Sequence, residues 1–134
     1  TSLVDVDRVK CFWEALGCRL LTMSPDEHDR KIARISHLPH AVAAAVVLAG
    51  LGKDPSAAHC SGNGFRDSTR VAGGDPDLWT GILLENRSEV VTALEDVVAQ
   101  TKELLAIISR QDNEALRRFL AEAQKLRALV PPGA

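Results

Sequence analysis

The sequence predicts a mainly α-helical chain with one short strand close to its start. Three observations lead there. Apolar residues recur at three- and four-residue spacing over most of the length. Ser24-Pro25-Asp26-Glu27 and Asp75-Pro76 are helix starts, with a capping side chain followed by proline at the first helical position. Aromatics are scarce, with two Trp, three Phe and no Tyr, so the core must be assembled from Leu, Val, Ile and Ala, which suits packed helices.

The elements follow in order. Val6, Val9, Phe12 (with Trp13) and Leu16 share helical spacing, which predicts a helix over residues 5–16 that stops at Gly17. Residues 18–23, Cys-Arg-Leu-Leu-Thr-Met, read as a short strand. One strand alone cannot satisfy its edges, so this unit is expected to belong to a sheet whose other strands are not in the chain. The next helix starts with Ser24 as cap and Glu27 placed to close a capping box, and is expected to run to about residue 48. Pro39 lies inside it and should kink or break it, freeing a carbonyl near Ile35. Residues 41–47 are apolar all round and are expected to be buried on every side. Residues 50–64 are loop-like, residues 65–72 a short helix closed by Gly73-Gly74, and Asp75-Pro76 starts another. Val90, Leu94, Val97, Thr101, Leu104 and Ile108 form a heptad-like stripe. Leu116, Phe119, Ala123, Leu126 and Val130 continue it after a polar break at residues 110–113. That pattern predicts an antiparallel helical hairpin, and Leu105, Ile107 and Leu120 outside the stripes point to a helical dimer interface.

Composition narrows the function classes. With 134 residues the chain holds one domain with a real core, not two. A net charge of −2 leaves no basic footprint, so nucleic acid is not an expected partner. Cys11, Cys18 and Cys60 form no CxxC pair, and an odd count fits reduced thiols in the cytoplasm. The apolar run 41–51 is well short of the roughly 20 residues that span a bilayer, so no membrane partner is expected. The chain begins at Thr1 without an initiator Met, and we expect a fragment.

Several residues could carry chemistry. In Ser36-His37-Leu38-Pro39-His40 the two histidines stand one helical turn apart on one face. A metal would need a third ligand, and His28, nine residues before His37, points to the opposite face, so no metal is expected. Two satisfied core histidines would be the ordinary alternative, but imidazoles beside a proline kink tend to mark a site. Gly62 and Gly64 imitate a dinucleotide fingerprint, yet Asp67 stands where its third glycine belongs and no strand precedes it. Arg70 could hold a carboxylate bidentately, with Asp67 orienting it or pairing nearby, although a solvated charged turn has the same spacing. The His28-Asp29 dipeptide also occurs in metal-dependent phosphohydrolases, but here no upstream His accompanies it.

Taken together and in order, three blocks resemble the prephenate dehydrogenase family. The first is His28-Asp29, Ala33 and Ile35-Ser36-His37-Leu38-Pro39-His40. The second is Gly64-Phe65-Arg66-Asp67-Ser68-Thr69-Arg70-Val71-Ala72. The third is Asp75-Pro76-Asp77-Leu78-Trp79 through Ile82 and Asn86. The resemblance implies a helical dimerisation domain of the 6-phosphogluconate-dehydrogenase-like type over residues 24–130. Residues 1–23 would then be an α–β remnant of an N-terminal Rossmann domain, and residues 131–134 a tail. It implies oxidative decarboxylation of prephenate to 4-hydroxyphenylpyruvate in tyrosine biosynthesis, with NAD or NADP bound in the complete enzyme. Arg70 would hold a substrate carboxylate, His40 would contact the substrate, His37 would line or support the cleft, and Asp67 and Trp79 would shape its entrance and charge network. The family's catalytic His lies upstream of residue 1. No catalytic residue and no bound cofactor are therefore expected in this chain, which alone should be inactive. The alternatives are an arogenate dehydrogenase, with Asp26 and Glu27 available to meet an ammonium group, a non-catalytic dimerisation module, or a metal-dependent phosphohydrolase.

Overall fold

The structure is a computed structural model that describes residues 3–131. Its order is α1 (Leu3–Ala15), α2 (Pro25–Ile32), a π-helical turn (Ala33–His37), α3 (Leu38–Leu51), a 3₁₀ turn (Pro55–Cys60), α4 (Asn63–Thr69), a second 3₁₀ turn (Arg70–Gly73), α5 (Pro76–Glu85), α6 (Arg87–Ser109) and α7 (Asn113–Arg127). The mainly helical expectation holds. The expected tail lies, apart from residue 131, outside the described residues.

Helix α1 ends where Gly17 adopts φ +81°, with Gly17 N–H donating to Glu14 O and Cys18 N–H to Trp13 O, a left-handed cap that glycine adopts without strain. The strand expected at residues 18–23 is not formed; the described residues contain no β ladder. A strand is held by a neighbour's N–H and C=O groups, and the described residues offer none. The segment runs beside α1 instead, and Val6, Val9, Trp13, Leu20, Leu21 and Met23 border an open apolar groove of about 580 Å³.

Ser24 caps α2 by accepting from Glu27 N–H at 3.2 Å. The reciprocal half of the capping box is replaced by an ion pair, with Lys31 Nζ donating to Glu27 Oε1 at 2.6 Å. Pro39 neither ends nor breaks the helix. The backbone widens into the π turn just ahead of it, where Leu38 N–H reaches five residues back to Ala33 O, and continues as α3. Helices α2 and α3 are thus one rod, Pro25–Leu51, which by length and composition alone is long and apolar enough to cross a bilayer. Its first part nevertheless carries Asp26, Glu27, Asp29, Arg30, Lys31 and Arg34. The stretch beyond Arg34 is only about 25 Å long, against roughly 30 Å of hydrocarbon.

The core is built from small side chains. Ala33 and Ala93 are fully buried and Ala43, Val90 and Ile107 nearly so, while no large side chain among the described residues is completely enclosed. The π turn lies against α6, and the 70–73 turn lies against α3. Residues 41–47 are not buried on every side: only Ala43 is, whereas Val46 is exposed, because the elements packed on α3 do not surround it. The α6 stripe also divides. Val90, Ala93 and Ile107 turn inward, whereas Val91, Val98 and Ile108 stay exposed, and Val91, Leu94, Val98 and Ala99 line an open groove. At about 100° per residue the apolar arc is wider than α7 and the π turn can cover. The hairpin turn uses Gln111 in a left-handed conformation (φ 54°), followed by Asp112 capping α7 through Ala115 N–H.

A compact monomer of this mass, 14.4 kDa, exposes about 6,800 Å². This chain exposes 10946 Å². Part of the difference is apolar helix surface, with Val46, Leu48, Val91, Val98, Leu105 and Leu120 among the exposed side chains.

Candidate functional site

The site grows out of the π turn. Proline at position 39 has no N–H to give the preceding helical turn, and the wider turn places His37 and His40 around it. The His40 ring folds back so that Nδ1 lies 2.9 Å from Ser36 O. A carbonyl can only accept, so Nδ1 carries the proton and Nε2 is left with its lone pair.

Trp79 supplies the wall. It sits on α5, which begins where Asp75 accepts Leu78 N–H at 2.8 Å. Its indole stacks on His40 with ring centroids 3.5 Å apart and planes 21° from parallel, and meets His37 edge-on at 6.5 Å. Gly74 makes this approach possible. A Cβ there would lie 2.5 Å from Trp79 Nε1 and 2.7 Å from Cδ1. His40, Ala41, Ala44, Val71, Ala72 and Trp79, with Gly74, Pro76 and Leu83, enclose a small cleft of about 200 Å³.

On the other side of His37, Asn86 Nδ2 donates to Asp29 O at 2.9 Å and lies 3.3 Å from His37 Nδ1. Burial pushes the His37 pKa below its ordinary value. The neighbouring charge of Asp29 opposes that shift, while His28 and His40 add to it. Nothing in the spacing around Asn86 marks it for a role in the site. With Glu89 three residues on, its spacing is that of an ordinary helix cap, which hides what the side chain does.

Arg70 opens the 3₁₀ turn that packs on α3, one residue before the cleft-lining Val71, with its side chain exposed. Asp67 is exposed on α4 and makes no ion pair with Arg70 or Arg66 among the described residues, so the expected pairing is not formed; water competes for exposed charges. The structure therefore brings His37, His40 and Trp79 together, places the Arg70 turn beside them, and gives Asp67 no ion pair among the described residues. His28 pairs with Asp29 at 3.0 Å in solvent. Asp26 and Glu27 are roughly 20 Å up the rod from His40. No group of three His, Cys, Asp or Glu side chains among the described residues could hold a metal ion.

The family described as "Prephenate dehydrogenase, dimerization domain" matches residues 24–122. Over 121 residues the chain is 37% identical to the cyclohexadienyl dehydrogenase of Zymomonas mobilis, covering 87% of this chain and 41% of that protein. Over 134 residues it is 30% identical to the prephenate dehydrogenase of Bacillus subtilis, covering 98% of this chain and 36% of that one. Among solved structures, Synechocystis arogenate dehydrogenase matches with a TM-score of 0.85 and 32% identity, over 96% of this chain and 48% of that one. The prephenate dehydrogenase of A. aeolicus, in complex with hydroxyphenyl propionate and NAD+, matches with a TM-score of 0.81 and 36% identity, over 96% and 46%. The chain spans less than half the length of each of these relatives. It belongs to the prephenate dehydrogenase family, through a segment matching that family's dimerization domain.

Proposed function

We propose that this chain is the substrate-binding and dimerising C-terminal part of an NAD(P)-dependent prephenate dehydrogenase, which decarboxylates prephenate oxidatively to 4-hydroxyphenylpyruvate. The observation that carries this reading is the His40–Trp79 stack in a cleft wall beside the turn that starts at Arg70. Prephenate is a dianion built on a ring. A flat aromatic wall, an imidazole with Nε2 free and a guanidinium able to grip a carboxylate bidentately match that chemistry. A cleft of about 200 Å³ is smaller than the roughly 300–1,000 Å³ of a usual small-molecule pocket, which fits half of a site closed by another domain.

The Gly62–Gly64 segment does not fit a dinucleotide. Gly62 and Gly64 open a seven-residue helix, and Asp67 would set a negative charge against a diphosphate. What this chain supplies is position: Arg70 anchors a carboxylate, His40 accepts at Nε2 as the neutral ring and donates there only as the imidazolium, and Trp79 flanks the ring. The dimer explains the bare surface. The open α6 face and the outer side of α3 are covered by a second copy, and the groove beside α1 by the nucleotide-binding domain.

Arogenate is the second reading, favoured by the Synechocystis relative and by Asp67, an unpaired carboxylate close to Arg70 in sequence that could meet the ammonium group. Asp26 and Glu27 are too far along the rod for that role. In the complete enzyme, Arg70→Ala should raise KM for prephenate by the equivalent of roughly 2–5 kcal/mol, because domain closure desolvates the pair. Steady-state kinetics with both substrates measures this. An unchanged KM removes Arg70 from the site and the proposal with it.

A further inference from the structure

Asn86 occupies the N-cap position of α6, a 23-residue helix, yet its side chain makes no capping bond there. An Asn at such a position ordinarily contributes on the order of 1 kcal/mol by accepting a backbone N–H. Here the amide turns away, to Asp29 O on α2 and His37 Nδ1 in the π turn, 57 and 49 positions away in sequence. Asp29 O can only accept, which fixes the amide orientation: the NH₂ group points at both partners. An amide has two N–H donors, and both are used, so His37 Nδ1 must present its lone pair.

We propose that Asn86 is a positioning residue of the substrate site, one that locks His37 as its neutral Nε2–H tautomer. The role in the site rests on the functional reading above; the lock itself rests on geometry alone. A proton on Nδ1 would face an N–H donor. Rotating the amide to accept that proton would set its oxygen against Asp29 O and break the tie between α2 and the start of α6. Protonation of His37 is therefore coupled to loss of an interhelical clamp. The other groups acting on His37 are Asp29 and His28 from α2 and His40 from α3, and the α5 side presents the uncharged Trp79 ring. Burial acts in the same direction as the lock. A fixed Nε2–H gives the stacked pair His40 and Trp79 a neighbour of constant polarity, so His37 adds a donor and no charge to an anion site.

The test uses Asn86→Ser, which keeps a good helix cap, and Asn86→Asp, which replaces the donor by an acceptor. In ¹⁵N-histidine-labelled protein, with His37→Gln assigning the resonance, the wild type should show a pyridine-type Nδ1 and a pyrrole-type Nε2. Asn86→Asp should move the proton to Nδ1 and raise the His37 titration, and Asn86→Ser should give a mixture of tautomers. In the complete enzyme both variants should raise KM about tenfold, the scale of one hydrogen bond, with kcat changed less. An unchanged tautomer in both variants overturns the lock. A changed tautomer with unchanged KM overturns the positioning role. Arg70→Ala, run alongside, separates these results from failure of the functional reading, since only that failure leaves KM unmoved in the Arg70 variant.

Discussion

Gly74→Ala tests whether the His40–Trp79 wall is as tightly set as it looks. Gly74 has φ −66° and ψ 161°, a conformation that alanine adopts without strain. On backbone grounds alone the change should stabilise the fold by about 0.4–1 kcal/mol, since it restricts the unfolded chain. The contact works the other way. The new methyl would sit 2.5 Å from Trp79 Nε1, about 1 Å inside ordinary van der Waals separation. The indole cannot retreat freely, because His40 already lies at 3.5 Å on its face and is tied to Ser36 O. Trp79 must tilt, or the 70–73 turn must lift off α3, and overpacking of this kind costs about 1–3 kcal/mol. The net expectation is a loss of roughly 0.5–2 kcal/mol, obtained by setting the first effect against the second. Urea unfolding in a Trp13→Phe background, where Trp79 is the remaining tryptophan, reports both quantities: the midpoint should fall and the native emission of Trp79 should change as the imidazole stack opens. A variant as stable as its parent, with identical Trp79 emission, would refute the packing argument.

Two further outcomes are expected. The His37 pKa is lowered in the folded state, so between that value and the unfolded value near 6.5 the unfolded chain binds more protons. The contribution of His37 to stability is therefore fully present above pH 6.5 and is lost as pH falls through the lower folded value. Unfolding at pH 7.5 and pH 5 should show a wild-type loss that His37→Gln reduces, and an equal loss in both proteins would remove His37 as the cause. Val98, half exposed on the open face of α6, should lie in the dimer contact. Val98→Glu would bury unpaired charge there and weaken self-association by roughly a hundredfold or more, read by analytical ultracentrifugation. Dimers of unchanged affinity would place the interface elsewhere.

The helix boundaries were legible in the sequence because their causes are local. Ser24, Asp75 and Gly17 act on backbone groups within about four residues, and each does in the structure what its spacing implies. The disturbance at Pro39 was legible for the same reason, although its form was not: whether a proline breaks a rod or widens it into a π turn depends on what the flanking segments pack against. Residues 18–23 have the composition of a strand and form none, since a strand exists only through a neighbour. Burial followed the same rule. The apolar run 41–47 and the α6 stripe mark surfaces that seek cover, but which residues face inward was decided by the π turn, α4, α7 and the 70–73 turn, and the remainder stay exposed. The site divides along that line. His37, His40 and Trp79 could be singled out as residues, but their stacking, the room that Gly74 leaves for the indole and the diversion of Asn86 from its own helix to His37 are contacts between distant segments. Local sequence fixes where a helix starts and stops; only the packed arrangement decides what its side chains meet.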